Sequence, residues 1–316
     1  MAFEVPRTPY SGKIKEITLG KGDKAVTVGG ETAYPFYFFE GRMPNLPRIA
    51  MEVYDTPPED WPPAAIEPFK DVINNPVAWA KKCVKEYGAE MICLQMVSTD
   101  PNGQNRPADE AAKTVKKVSD AIDVPLIVWG TSNHDKDTEV LKAVAEICKD
   151  RHLILGPVEE ADHKKIGAAA IGYKHTVAAS TPVDINLAKQ LNILLGNLGV
   201  PDSSLLMDTS VSGIGYGIEY CYSVMERTRM AALTQQDGKL QYPLIANLAK
   251  EVWKTKEAKI TEKEDPKMGD AKRRGVLLEA MTATLLLMAG ADVLIMRHPE
   301  AVKLVKEMIG EMATIK

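Results

Sequence analysis

From position 47 the sequence repeats one cycle eight times: a short apolar run, then polar or Gly/Pro punctuation, an amphipathic stretch, and Gly or Pro again. No other feature restricts the fold as much. The apolar runs lie at 49–53, 91–97, 126–129, 153–155, 176–179, 205–207, 244–246 and 293–296. Their length suits parallel strands buried on both faces, which read as continuous apolar segments and not as alternating ones. The stretches between them have helical periodicity. Across 138–149, Val140, Leu141, Val144, Ile147 and Cys148 share one face, while Glu139, Lys142, Glu146 and Lys149 take the other. Val302, Val305, Met308, Ile309 and Met312 repeat that pattern in the last stretch. Gly88, Gly172, Gly199 and Gly290 stand where helices should end, as C-caps before tight turns into the next strand.

Eight such units predict an α/β fold, a (β/α)8 TIM barrel. Parallel strands need right-handed helical crossovers, and an eight-stranded sheet can close without leaving an edge. The competing architecture is an open doubly wound sheet. It is disfavoured because Gly213-Ile214-Gly215-Tyr216-Gly217 follows the sixth run with G-x-G-x-G spacing and lacks the dinucleotide fingerprint. The first 46 residues differ from the rest. Residues 13–19 alternate, Gly20-Lys21-Gly22-Asp23 supplies turn residues, and 25–28 is apolar and β-branched, which predicts a β-hairpin. The expected organisation is an N-terminal β extension over 1–46 and a barrel over 47–316. The extension could close the bottom of the barrel or join a partner's sheet.

With 45% hydrophobic and 26% charged residues and a net charge of −4, the chain lacks the basic footprint of a nucleic-acid binder. No stretch approaches the roughly 20 apolar residues that span a bilayer, and the N-terminus carries no signal-peptide pattern, so the cytoplasm is the expected compartment. Cys83, Cys93, Cys148 and Cys221 show no C-x-x-C spacing and read as buried free thiols. The histidines show no metal-ligand spacing, and nothing resembles a nucleophile elbow.

In barrels of this type the working face is the C-terminal end of the strands. The residues following the apolar runs there are mostly small hydroxyls, amides and carboxylates, suited to hydrogen bonding a ligand rich in amides or ring heteroatoms. The candidate contacts are Thr131, Ser132, Asn133, His134, Ser180, Asp208, Thr209, Gly213, Gly215, Asn247 and Arg297. Several have plainer readings. Asp135 or Asp137 would cap the helix that follows, and His134 would be a solvated loop side chain. Asp208 divides between a ligand-anchoring or acid–base carboxylate and a structural rim bond. The glycines of 210–217 would let backbone approach a bulky ligand, or simply form a flexible linker. Two long connections stand out. One is the Pro-rich 56–74, a stiff partner-contact arm; the other is the charged 254–270, a solvated surface or mobile lid.

Two segments carry a family likeness: Leu206-Met207-Asp208-Thr209-Ser210-Val211-Ser212-Gly213-Ile214-Gly215-Tyr216-Gly217-Ile218-Glu219-Tyr220, and Ala246-Asn247-Leu248-Ala249-Lys250-Glu251-Val252-Trp253-Lys254-Thr255-Lys256-Glu257-Ala258. With the barrel and its β preface, they resemble the small subunit of the corrinoid iron–sulfur protein, the delta subunit of the acetyl-CoA decarbonylase/synthase complex. The likeness covers essentially the whole chain. It implies a heterodimer of the anaerobic acetyl-CoA (Wood–Ljungdahl) pathway that carries a methyl group on cobalamin cobalt. The methyl would come from methyltetrahydrofolate via a methyltransferase and go to acetyl-CoA synthase/CO dehydrogenase. It also implies that the large subunit holds the [4Fe–4S] cluster and the main corrinoid domain, while this chain covers the cobalamin at the interface and has no catalytic residue of its own. The absence of a D-x-H-x-x-G corrinoid motif agrees with that division. The alternative is a pterin-binding barrel methyltransferase acting directly on methyltetrahydrofolate, with Asp208, Asn133 and Asn247 holding the pterin. An aldolase-like barrel is disfavoured because no strand end offers a Schiff-base lysine.

Overall fold

Each of the eight apolar runs forms a strand in the computed structural model, which describes residues 4 and 6–314. The strands are β3 (Arg48–Tyr54), β4 (Met91–Gln95), β5 (Leu126–Trp129), β6 (Ile154–Val158), β7 (Thr176–Ser180), β8 (Leu205–Asp208), β9 (Leu244–Asn247) and β10 (Ala291–Met296). All neighbours are parallel, and β10 pairs with both β9 and β3, so the sheet closes. The open sheet is thereby excluded. The helices packed outside include α2 (Pro76–Lys85), α3 (Ala108–Ala121), α4 (His134–Ile147), α5 (His163–Tyr173), α6 (Ile185–Leu198), α7 (Ile218–Thr234), α10 (Ala271–Ala289) and α11 (Pro299–Thr314).

Residue alternation along the strands divides the core in two. Ile49, Met51, Ile92, Leu94, Val128, Leu155, Val177, Met207 and Leu294 point outward into the layer shared with the helices. Ala50, Met91, Cys93, Ile127, Trp129, Ile154, Ala178, Leu206, Ile245, Val293 and Ile295 fill the lumen. All four cysteines are buried and unpaired.

The N-terminal hairpin is β1 (Ile17–Leu19) against β2 (Val26–Val28), antiparallel, with Ile17 opposite Val28. Ile17, Leu19 and Val28 are fully buried in the lumen cluster, so the extension plugs the barrel. Its chain is stitched to the barrel by Gly12 N–H to the Leu233 carbonyl (2.7 Å) and Lys15 N–H to the Gln241 carbonyl (2.8 Å). Gly29 sits at φ 83°, where a Cβ would fall 2.0 Å from the Lys15 carbonyl oxygen, so no other residue fits there.

Gly199 and Gly290 end their helices in left-handed or neighbouring conformations as expected, but Gly172 does not. It lies inside α5, and Lys174, at φ 60°, makes the left-handed turn instead. The two long connections also hold structure. The charged one contains the short helix α9 (Lys256–Lys259), preceded by α8 (Ala249–Trp253). The Pro-rich one contains α1 (Pro63–Ile66) and buries Trp61.

Candidate functional site

The lumen changes character toward the C-terminal ends of its strands. Continuing the inward alternation past the apolar layers places Glu52, Gln95, Ser180, Asp208, Asn247 and Arg297 around the upper interior, all buried. They pair among themselves. Gln95 Nε2 donates to Glu52 Oε1 (3.0 Å) and Asn247 Oδ1 (3.3 Å), and Arg297 Nε donates to Glu52 Oε2 (2.7 Å). The Arg297 guanidinium also reaches the Tyr54 hydroxyl (3.2 Å) and lies 3.6 Å from the centre of the Trp61 ring, a cation–π contact. Burial opposes the Arg297 charge, yet Glu52 and Tyr54 outweigh it and raise its pKa. Arg297 therefore fastens the Pro-rich connection to the barrel.

Above this layer lies a pocket of about 140 Å³ lined by Trp129, Ser132, Pro157, Ser180, Asp208, Ser210, Val211, Ser212, Asn247, Lys250 and Glu251. The Trp129 indole fills the lumen beside Gly156, where a Cβ would come within 3.1 Å of its Cζ3. Two of the pocket's serines, Ser132 (φ 66°) and Ser210 (φ 58°), are left-handed, a conformation uncommon outside glycine. A buried carboxylate holds each one. Asp137 Oδ2 accepts from the Ser132 N–H (2.7 Å) and Asp208 Oδ1 from the Ser210 N–H (2.8 Å), while Ser180 Oγ donates to Asp208 Oδ2 (2.7 Å). Strained backbone stabilised in this way clusters at functional sites.

Burial raises the Asp208 carboxyl to about 6 against the hydrogen bonds from Ser180 and Ser210. Its folded value lies above the ordinary 3.8, so between those values the folded state keeps a proton that the unfolded chain has lost. The resulting stability is present below pH 3.8 and lost as pH rises through about 6. Asp208 should therefore contribute a fall in the unfolding midpoint with rising pH across that window, against the rise contributed by carboxylates that lysines hold low, such as Asp71 and Asp109. Asp208→Asn should flatten that slope, and an unchanged slope would remove Asp208 as its source.

The structure brings Ser132, Ser180, Asp208 and Asn247 together on one pocket, with Gly213 and Gly215 in the single turn Ser212–Gly215 at its edge. The other candidates are placed differently. Thr209 is buried. Thr131 donates through its N–H to Asp137 Oδ1 (2.9 Å). His134 faces Asp162 (Nδ1 to Oδ2, 3.2 Å) and lines a separate cleft of about 560 Å³ with Glu159 and Thr181. Asn133 caps α4, its Oδ1 accepting from the Lys136 N–H (3.1 Å). The cap is therefore Asn133, not Asp135 or Asp137; Asp137 folds back to order the preceding loop. Asn133→Ala should cost about 0.5–2 kcal/mol in thermal unfolding, with Asn133→Ser recovering most of it. A variant as stable as wild type would refute the capping role.

Glu52, Gln95 and Trp129 went unnoticed as site residues in the sequence. The first two had a signal: a lone charged or amide side chain at an inward position of an otherwise apolar strand.

Among the described residues, no group of three His, Cys, Asp or Glu side chains could hold a metal ion. No helix among them is long and apolar enough to cross a membrane.

The family model described as "CO dehydrogenase/acetyl-CoA synthase delta subunit" matches residues 16–312. The chain belongs to this family. Curated delta subunits of the acetyl-CoA decarbonylase/synthase complex agree throughout. That of Archaeoglobus fulgidus is 37% identical, over 98% of this chain and 71% of the relative. That of Methanothermobacter thermautotrophicus is 35% identical, over 99% and 79%. Among solved structures, dihydropteroate synthases share the barrel. The Xanthomonas albilineans enzyme superposes with a TM-score of 0.57 at 14% identity, covering 90% of this chain and 99% of that one. The Thermus thermophilus enzyme gives 0.56 at 16%, also over 90% and 99%. Identity this low carries the fold alone. As a delta-family chain, the protein is related to named subunits of one multiprotein complex.

Proposed function

We propose that this chain is a non-catalytic subunit whose barrel mouth covers a corrinoid held by a larger partner, within a methyl carrier of the acetyl-CoA pathway. The observation that carries this reading is the shape of the mouth. Sites that enclose a drug-sized ligand run to roughly 300–1,000 Å³, whereas the axial pocket here is about 140 Å³. A macrocycle is too large for that pocket and would lie across it, over the cleft of about 560 Å³ beside it that shares Ser180. The donor set suits that pose: Ser132, Ser210 and Ser212 ring the opening with hydroxyls, which can donate to or accept from the amide side chains on a corrin edge. The carboxylates of Asp137 and Asp208 hold Ser132 and Ser210 in place before any ligand arrives, which lowers the ordering cost of binding. When bound, the corrinoid supplies the cobalt that carries the methyl group. The residues of this chain bind, orient and exclude water. The partner would be the corrinoid iron–sulfur large subunit with its [4Fe–4S] cluster; a methyltetrahydrofolate methyltransferase would supply the methyl, and acetyl-CoA synthase would take it.

A second reading has some support. Asp208 and Asn247 are buried side by side in a barrel like that of dihydropteroate synthase, one of whose structures holds 7,8-dihydropteroate. Asn133, however, is committed to capping α4 and does not line that pocket. The test is co-expression with a candidate corrinoid-bearing large subunit, alongside methyltetrahydrofolate titration of the chain alone. A stable 1:1 complex with corrinoid absorbance and no folate binding is the expected result. A colourless chain that takes no partner and binds the folate would make it a methyltransferase.

A further inference from the structure

The turn that leaves the plug buries a carboxyl group to which nothing donates. Glu31 follows β2 by three residues and is 4% exposed, and neither oxygen of its side chain has a hydrogen-bond donor among the described residues. Its backbone is held on both sides. Gly30 sits at φ 95°, where a Cβ would fall 2.6 Å from the Pro44 ring; the Ile14 N–H donates to the Glu31 carbonyl (2.9 Å) and the Thr32 N–H to the Arg42 carbonyl (2.9 Å). The side chain therefore cannot swing out to water while this segment stays docked.

Glu31 faces Asp292, at the N-terminal end of β10. Asp292 is buried, and its Oδ2 accepts from the Leu244 N–H (2.6 Å) and from Arg229 Nη2. Arg229 of α7 is buried as well and fully engaged: Nε and Nη2 donate to the Gly290 carbonyl (3.1 and 2.6 Å) and Nη1 to the Tyr242 carbonyl (3.3 Å). One guanidinium thus stands against two carboxyls in a space closed to water. Such a set is neutral only when the carboxyl pair keeps one proton. Asp292 already has its donors, so the proton belongs on Glu31, which can donate it to Asp292. Burial, and then the Asp292 carboxylate, push the Glu31 carboxyl well above the usual range, further than Arg229 draws it down. The other charged groups of the neighbouring segments are engaged elsewhere. Lys13 pairs with Glu16 (2.7 Å), Lys15 with Asp202 (2.7 Å) and Arg48 of β3 with Glu90 (3.3 Å); the Tyr242 hydroxyl donates to Asp202 (2.7 Å), and Arg42 is exposed.

We propose that a proton shared between Glu31 and Asp292 latches the N-terminal hairpin to the bottom of the barrel, and that release of this proton to water loosens the hairpin. Glu31 belongs to the extension, whereas Asp292 and Arg229 belong to the barrel, so the contact joins the two. Without the proton, a second negative charge would lie beside Asp292 with one guanidinium for both, and Glu31 could reach water only by lifting the segment that carries it. A carboxyl that keeps its proton in the folded state adds stability that is present below its ordinary 4.5 and lost as pH rises through its folded value. Rising pH therefore frees the plug. The latch lies at the opposite end of the barrel from the mouth and does not depend on what the mouth covers.

The test uses the full chain as wild type and as Glu31→Gln, whose amide keeps the shape and a donor for Asp292 without a titrating proton. Glu31→Met, similar in length and without that donor, is the reference if the first variant does not fold. Infrared difference spectra near neutral pH should show the carbonyl stretch of a protonated carboxylic acid in wild type that the variant lacks. As pH rises the band should vanish, and hydrogen-exchange protection of the β1 and β2 amides should fall with it, by up to about tenfold per pH unit, the slope for one proton. Protection in the variant should stay flat. Absence of the band at neutral pH means an ionised Glu31 and overturns the proposal. Protection that follows the same pH course in both proteins overturns it too, as does wild-type protection that survives loss of the band. A band that persists to the alkaline limit of the fold sinks the switch, since the proton then never leaves.

Discussion

Replacing Arg297 with Met is expected to destabilise the protein by about 3–5 kcal/mol, the usual cost of removing one partner from a buried ion pair. Glu52 is 0% exposed and would keep only the Gln95 amide, with Oε2 left facing a hydrocarbon chain. The loss would spread upward, because the same guanidinium lies 3.6 Å over Trp61 and anchors the Pro-rich connection. The double variant Arg297→Met with Glu52→Leu should recover most of the loss, since replacing both members of a buried pair with apolar groups is often nearly neutral. Urea unfolding followed by fluorescence and far-UV circular dichroism gives the comparison. A double variant no better than the single one would mean that packing against Trp61, and not the charge pair, does the holding.

Ile17→Ala should cost about 2–5 kcal/mol, within the range for truncating a fully buried aliphatic side chain. Ile17 is 0% exposed, inside the lumen cluster with Val293 and Ile245. The rigid strands cannot collapse around the missing atoms, which favours the upper part of that range. The measurement also separates the two roles the hairpin could have had. An isolated chain with unchanged stability would mean that the hairpin is not sealing the barrel and serves some outside surface instead.

The barrel was legible in the sequence because its signals are local and repeated. A strand buried on both faces must be apolar throughout, and its helix must show a polar face. The plug was legible as a hairpin, but its destination was not. Ile17, Leu19 and Val28 read as an apolar strand face whether they fill a lumen or a partner's sheet. Strand ends led to Ser132, Ser180, Asp208 and Asn247, since the fold places strand ends at one mouth. At Asn133 the same rule meets a helix start, where an N-cap and a ligand contact require the same small polar side chain in the same place. Gly172 misled because Lys174 bears the left-handed turn two residues on. Glu52 and Gln95 were hidden inside runs read as apolar, and their pairing with Arg297 and Asn247 joins residues up to 245 positions apart, a distance no local pattern spans.

The indole of Trp129, seated in the lumen with one edge on the mouth, gives the protein a built-in optical probe. Gly156 leaves it room, since a Cβ there would come within 3.1 Å of its Cζ3. On the function proposed above, a pigment brought across the mouth would lie close enough to accept its excitation energy, so part of the emission should dim when a pigmented partner docks and return when it leaves. The approach and departure of such a pigment could then be timed in unlabelled protein from the share of the emission that Trp129 supplies among the four tryptophans of the chain.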